Sequence, residues 1–251
     1  MQKIDVLCGM SVGGRISIVS DRFIATARHV KGQQPECSVR KLASLVRFFM
    51  NSRFPFPRTA RLFVFSGVSS TGLLLILASC AVVIQILNIG AGTLLPAVPL
   101  IGLGVWFYSV LFVALFLLYA RTIIAPWHGA EHMAIAAYWR NGSTNLDALA
   151  KESPVNDKCG GRIFVFAIVA FGISMALMPV IGIPQWATSL IMLEVGLWLD
   201  KLVGLDHIPG VAHISRLLQK HITTRVPGEV ELRTAQAAML ALLAEHQKRL
   251  A

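Results

Sequence analysis

Two histidines and a glutamate fall within five positions of the stretch APWHGAEHMAIAAYW, residues 125–139: His128, Glu131 and His132. On a helix, positions i, i+3 and i+4 share one face, so the three side chains point the same way. Neutral imidazoles ligate zinc and other divalent metals, and a neighbouring carboxylate serves as a further ligand or deprotonates a metal-bound water. H-x-x-E-H is also the spacing of the inverzincin proteases, in which two histidines bind zinc and the glutamate is the base. A plainer alternative stays open: the three residues solvate an amphipathic helix, with Trp127, Tyr138 and Trp139 as interfacial anchors.

Two further residues extend the candidate set. Cys159, in NDKCGGR, can supply a thiolate, and the two glycines after it permit a tight turn. Glu194 sits inside an apolar run, where an ionisable group usually faces a partner or a cavity. It is a candidate third ligand, or an acceptor that orients a histidine. Inert packing for Cys159 and a place near a helix end for Glu194 are the alternatives. The expected metal set is thus His128, His132, Glu131, Cys159 and Glu194, with Glu131 as catalytic base and a divalent ion, zinc foremost, as cofactor. His207, His213 and His221 read as polar surface or interfacial residues. Cys8, Cys37, Cys80 and Cys159 are scattered, with no C-x-x-C pair that would mark a zinc knuckle or a redox couple.

The elements that must position these residues are apolar. Mean hydropathy is +0.65 and only 14% of the 251 residues are charged, which points to a membrane protein. Residues 62–88 and 94–120 carry no charge, and at about 1.5 Å per residue each exceeds a hydrocarbon layer of roughly 30 Å. Residues 163–183 and 186–199 form a third and a fourth run, the last short enough for a re-entrant segment. Residues 1–61 hold eleven Lys/Arg against three Asp/Glu, whereas the turns at 89–93 and 184–185 are uncharged. The positive-inside rule then puts both termini and the 121–162 loop on the cytoplasmic or matrix side. The expected fold is a mainly α membrane protein with about four transmembrane helices, a small N-terminal α+β unit and a C-terminal cytoplasmic helix. Its place is a bacterial cytoplasmic membrane or an organelle inner membrane.

Three segments follow: an interfacial unit at 1–61, a transmembrane domain at 62–203 and a cytoplasmic segment at 204–251. RISIV and FIATA around Ser20-Asp21-Arg22 predict a β-hairpin. From Val39 onward, Leu42, Leu45, Val46 and Phe49 recur at helical spacing beside Arg40, Lys41 and Arg47, predicting a basic amphipathic helix. Pro227-Gly228-Glu229 predicts the start of a final helix with a basic end at Lys248 and Arg249. The first 30 residues lack the apolar core of a signal peptide, so the N-terminus is expected to be retained. The net charge of +10 fits contact with anionic lipid headgroups, since the basic residues flank apolar runs; nucleic acid is not an expected partner.

With these segments in place the chain resembles the bacterial YqhQ family of multi-pass membrane proteins, whose function is unknown and which are regarded as predicted metal-dependent enzymes. WHGAEHMAIAAYW matches the family's aromatic-H-G-A-E-H stretch, which places the family's histidines and glutamate on His128, Glu131 and His132. NDKCGGRIFVF, at 156–166, lies where the family has H-P-R-C-G, and ITTRVP, at 222–227, resembles T-T-R-E-P. The order and spacing agree over most of the chain. Asn156 stands where the family has a histidine, Met133 where it has a basic residue, and CGMSVGGR at 8–15 lacks the glutamate of the family's N-terminal stretch. The resemblance implies a site at the cytoplasmic membrane face with part of its companions replaced.

Three roles are therefore expected of this sequence. The first is metal-assisted hydrolysis at His128, His132 and Glu131. The second is a non-catalytic structural or assembly subunit of a larger membrane complex, or a homo-oligomer. The third is a small transporter that relays protons through Glu194.

Overall fold

The computed structural model describes residues 4–42, 118–162 and 185–248, together with Leu111, Leu115, Val165 and Phe166. Its N-terminal part is an antiparallel meander of β1 (Val6–Val12), β2 (Arg15–Ser20), β3 (Phe23–Arg28) and β4 (Glu36–Lys41), in that spatial order. RISIV and FIATA are the paired strands β2 and β3, with Ile16 opposite Ala27 and Ile18 opposite Ala25. Alternation decides the faces. Ile16, Ile18, Phe23, Ala25 and Ala27 are buried on one side, while the Ser17 and Thr26 hydroxyls bond to each other at 2.8 Å. β1 slips register between Val6 and Cys8, an irregularity of the bulge kind.

Two helices cover the sheet. α1 (Ala125–Asn141) continues from a π-helical turn at Ala120–Ile124, carries Pro126 near its start, and stops at Gly142, whose φ of 64° is a left-handed cap. α2 (Leu146–Ala150) is a single turn beside it. α3 (Gln185–Leu202) leads through a 3-10 turn at Leu205–His207 into α4 (Pro209–Leu218) and a π-helical turn at Gln219–Thr223. α5 (Glu229–Lys248) follows Pro227-Gly228, with Glu229 and Glu231 in its first turn and Lys248 in its last, as its dipole favours.

One core joins the sheet, α1 and α5: Ile16, Ile18, Ala134, Tyr138, Met239 and Leu242 are among its members. Each large side chain there contributes about 1.5–3 kcal/mol relative to exposure. Long-range polar ties hold the layers in register. The Tyr138 hydroxyl accepts the Ile4 N–H at 2.7 Å, and Ser20 Oγ and His246 Nε2 lie 2.9 Å apart. α1 is buried on several sides, which its run of small residues, Gly129, Ala130, Ala134 and Ala137, permits.

These observations correct the expected fold class and location. Among the described residues no helix is long and apolar enough to cross a membrane. α3 contains the fourth apolar run but also carries Glu194, Asp200 and Lys201. Part of the described apolar residues form a core between a four-stranded sheet and two helices. The mainly α, four-span membrane architecture, and with it the multi-pass location in a bacterial or organelle membrane, is set aside. The runs at 62–88, 94–120 and 163–183 lie almost entirely outside the described residues, as do positions 43–49 of the amphipathic helix expected from Val39. Val39, Arg40 and Lys41 themselves belong to β4.

Candidate metal centre

The sequence of α1 fixes one side of the site, because His128 and His132 are one turn apart and their rings lie 4.3 Å apart between centroids. Each ring is then tied by its Nδ1 to a backbone carbonyl: His128 to Thr223 at 2.9 Å and His132 to Pro154 at 2.7 Å. A carbonyl only accepts, so Nδ1 must carry the hydrogen in both rings. Burial pushes both imidazoles below their ordinary pKa, His132 to about 3, with His128 adding to the effect there. Both rings are therefore neutral, and each offers a lone pair at Nε2. Donation of the other ring nitrogen to a carbonyl is how metal-ligating histidines are usually oriented.

Cys159 meets this pair from the opposite side. Its Sγ lies 3.6 Å from His128 Nε2 and accepts the Gly161 N–H at 3.3 Å. Burial raises the thiol to about 11, so the sulfur holds its proton until a cation displaces it. The donor atoms of His128, His132 and Cys159 all lie within 4.8 Å of one another. With zinc bonds of about 2.0–2.3 Å, a tetrahedral centre separates its donors by roughly 3.3–3.8 Å. The widest separation, no more than 4.8 Å, would close by up to about 1.5 Å to reach that scale.

Two backbone segments make the site possible. Thr223 to Arg225 runs across the start of α1, where the Arg225 N–H donates to the Ala125 carbonyl at 3.1 Å. Arg225 can approach because residue 129 is glycine: a Cβ there would collide with the Arg225 carbonyl oxygen and press on Pro154. The second segment is the loop from Pro154 to Cys159. Its Asn156 N–H donates to Gln219 Oε1 at 2.9 Å, and Asn156 Oδ1 accepts the Lys158 N–H at 2.9 Å. The Cys159 N–H closes the turn on the Asn156 carbonyl at 3.1 Å. Asn156, where the resembled family has a histidine, thus shapes the turn that presents Cys159. Asn156→Ala is expected to weaken zinc binding about tenfold in chelator competition, whereas Asn156→Asp, which keeps the acceptor oxygen, retains most of it.

Glu131 is not one of the three residues whose donor atoms converge. Its carboxyl lies over Gly9 in β1, where any Cβ would collide with it, and it is hydrogen-bonded to the Ser11 hydroxyl. Burial raises it to about 8, with the Ser11 bond pulling the other way. Oε2 has no hydrogen-bond partner among the described residues. Its charge is felt by both Cys159 and Cys8, whose thiol burial pushes to about 12. Glu194 lies half-buried on α3 and is not one of the three residues whose donor atoms converge. His207, His213 and His221 are exposed. Sequence reasoning missed Gly9, Ser11, Gln219 and Thr223. The loose match of CGMSVGGR to the family's N-terminal stretch hinted at the first two, and the match of ITTRVP hinted at Thr223.

The shifts set a pH profile for the metal-free protein. Between pH 6.5 and about 3 the unfolded chain binds a proton at position 132 that the native ring refuses, so stability falls as the pH drops. His128 acts in the same direction. Between pH 4.5 and about 8 native Glu131 keeps a proton that the unfolded chain releases, so its contribution falls as the pH rises. Between pH 4.5 and 6.5 His132 and Glu131 offset each other and the lowered His128 tips the balance, while above pH 6.5 Glu131 acts against stability. Urea titrations of the metal-free protein should therefore find greatest stability near pH 6.5, with losses of about 1.4 kcal/mol per pH unit per unbalanced group. A monotonic rise from pH 5 to 8 would contradict these protonation states.

Residues 63–245 match the family described as "Protein of unknown function (DUF1385)". No curated protein matches the chain, and no solved structure does. The match takes in α1 with its two histidines, the Cys159 loop and the Thr223–Arg225 crossing, while the four strands lie before it.

Proposed function

We propose that this chain, which belongs to the DUF1385 family of proteins of unknown function, binds a divalent transition metal through His128, His132 and Cys159 and carries out metal-assisted hydrolysis. One observation carries the reading: both Nδ1–H groups are committed to backbone carbonyls, which leaves Nε2 as the donor on each ring, with His128 Nε2 3.6 Å from the cysteine sulfur and the three residues' donor atoms within 4.8 Å of one another. Two imidazoles and a thiolate suit zinc and exclude the hard, oxygen-seeking magnesium and calcium ions. Three protein ligands are the pattern of a catalytic zinc, which leaves one position for water or substrate. Bound there, the ion would lower the pKa of a coordinated water towards neutrality.

The chain supplies the remaining chemistry. Glu131 holds its proton near neutral pH and has one oxygen with no partner among the described residues, which suits it to exchange protons at a reacting group. The carbonyls of Thr223 and Pro154 keep both rings in the ligating tautomer. Burial of His132 and Cys159 limits access of bulk water.

That burial also favours a second reading, in which the ion staples the Cys159 loop and the Thr223 crossing to α1 without turnover. Glu131→Gln separates the two. The hydrolase reading expects it to retain stoichiometric zinc and lose about a hundredfold or more in hydrolysis of an activated ester. The staple reading expects no such loss, and chelation that lowers the melting temperature of wild type and variant alike.

A further inference from the structure

We infer that Gln219 is the positioning residue of the proposed metal centre: its main chain fixes the carbonyl that orients His128, and its side chain fixes the loop that presents Cys159. The inference rests on the reading of His128, His132 and Cys159 as ligands.

The main-chain half follows from the π-helical turn at Gln219–Thr223. The Gln219 carbonyl accepts both the Thr224 N–H and the Thr224 hydroxyl, each at 2.9 Å, and both residues are buried. This wide i→i+5 closure is the geometry of a π turn, which recurs at functional sites. The Thr224 N–H belongs to the same planar peptide as the Thr223 carbonyl, and in a trans peptide the two groups point in opposite directions. Holding the N–H on Gln219 therefore aims the carbonyl at His128 Nδ1, 2.9 Å away.

The side-chain half is a buried amide with a partner on each polar atom. Oε1 accepts the Asn156 N–H at 2.9 Å, and Nε2 donates to Ser215 Oγ at 3.3 Å. Asn156 stands between Pro154, whose carbonyl holds His132, and Cys159. Ser215 Oγ also lies against the Cys159 turn, since a Cβ on Gly161 would be 3.8 Å from it and 3.5 Å from Cys159 Sγ. The Arg216–Asp157 ion pair spans the same two elements, but it is exposed, and exposed pairs contribute little. The buried amide carries the tie, because its loss leaves the Asn156 N–H without an acceptor. All three ligands are thus referred to one residue: His128 through Thr223, His132 through Pro154 and Cys159 through Asn156.

The test uses the full chain, with zinc and cobalt as probes. Gln219→Met keeps the volume and removes the acceptor. Zinc affinity should fall about 10–100-fold in chelator competition, and the sulfur-to-cobalt charge-transfer band should weaken. Gln219→Glu, which offers an oxygen to the Asn156 N–H whether protonated or not, should restore both. Thr224→Val removes only the hydroxyl bond to the Gln219 carbonyl and guards against a methionine variant that fails to fold. It should weaken zinc binding about fivefold and leave hydrogen exchange at the Asn156 amide unchanged. A folded Gln219→Met protein with the zinc affinity and cobalt spectrum of the wild type would overturn the inference. So would a glutamate variant as weak as the methionine one, or a Thr224→Val protein that binds like the wild type. Amide exchange in the metal-free chain separates this failure from that of the metal reading. A wild type that takes up no zinc defeats the metal reading, whereas an Asn156 amide that exchanges no faster in Gln219→Met defeats the tie itself.

Discussion

Gly129→Ala is expected to weaken the proposed zinc binding strongly without removing a ligand. Alanine has the higher helix propensity by about 1 kcal/mol, so local preference alone predicts a more stable α1. The surroundings reverse the sign. A methyl group at 129 would strike the Arg225 carbonyl oxygen, which is backbone and cannot rotate aside, and would press on the Cβ of Pro154. Those two segments supply the carbonyls that hold the rings: Thr223 for His128 and Pro154 for His132. Moving both frees the imidazoles from the ligating tautomer. Loss of one such partner typically costs 10–100-fold in affinity, so zinc binding should fall on the order of a hundredfold or more. Overpacking should add about 1–3 kcal/mol of destabilisation. Chelator competition and thermal melts check both. Gly142→Ala is the control: its left-handed φ costs about 1 kcal/mol, far from the histidines, and zinc affinity should not change. A Gly129→Ala protein that melts higher and binds zinc like the wild type would disprove the docking of Thr223–Arg225 on α1.

Cys159→Ser should have a comparable effect through the ligand itself. A structural zinc site contributes about 10–16 kcal/mol through four ligands, so one ligand accounts for roughly 3 kcal/mol, about a hundredfold in affinity. Serine is nearly isosteric, and it keeps the turn built on Asn156 and Gly161, so the fold should survive. With cobalt in place of zinc, the sulfur-to-metal charge-transfer absorption of the wild type should vanish. Because the free thiol holds its proton to about pH 11, binding by the wild type should release a proton that the serine variant does not. Calorimetry in buffers of different ionisation enthalpy measures that difference. Equal proton release from both proteins would remove Cys159 from the ligand set.

Much of the site's chemistry can be read along the chain, because it depends on local spacing. His128 and His132 are one helical turn apart whatever surrounds them, and two glycines after Cys159 signal the turn that presents it. The hairpin at Ile16 and Ala27 is equally local. What fails is what depends on long-range packing. Hydropathy counts apolar residues without saying what covers them, and Ile18, Ala134 and Met239, far apart in sequence, cover one another. Val39 and Leu42 have helical spacing, but β3 offers Val39 a strand partner in Ala25, and Leu42 comes just after the strand. Glu131 reads as a companion of the histidines because it shares their helix. Only the tertiary arrangement reveals Gly9 and Ser11 beside its carboxyl, more than a hundred residues away in the chain.

The central claim is a transition-metal ion held by His128, His132 and Cys159, and elemental analysis of the purified full chain tests it most directly. The account predicts close to one zinc-class ion per chain after dialysis against metal-free buffer, and essentially none when His128→Ala and His132→Ala are combined. An intact, folded wild-type chain that emerges from the same dialysis without metal, after zinc has been supplied, would contradict it.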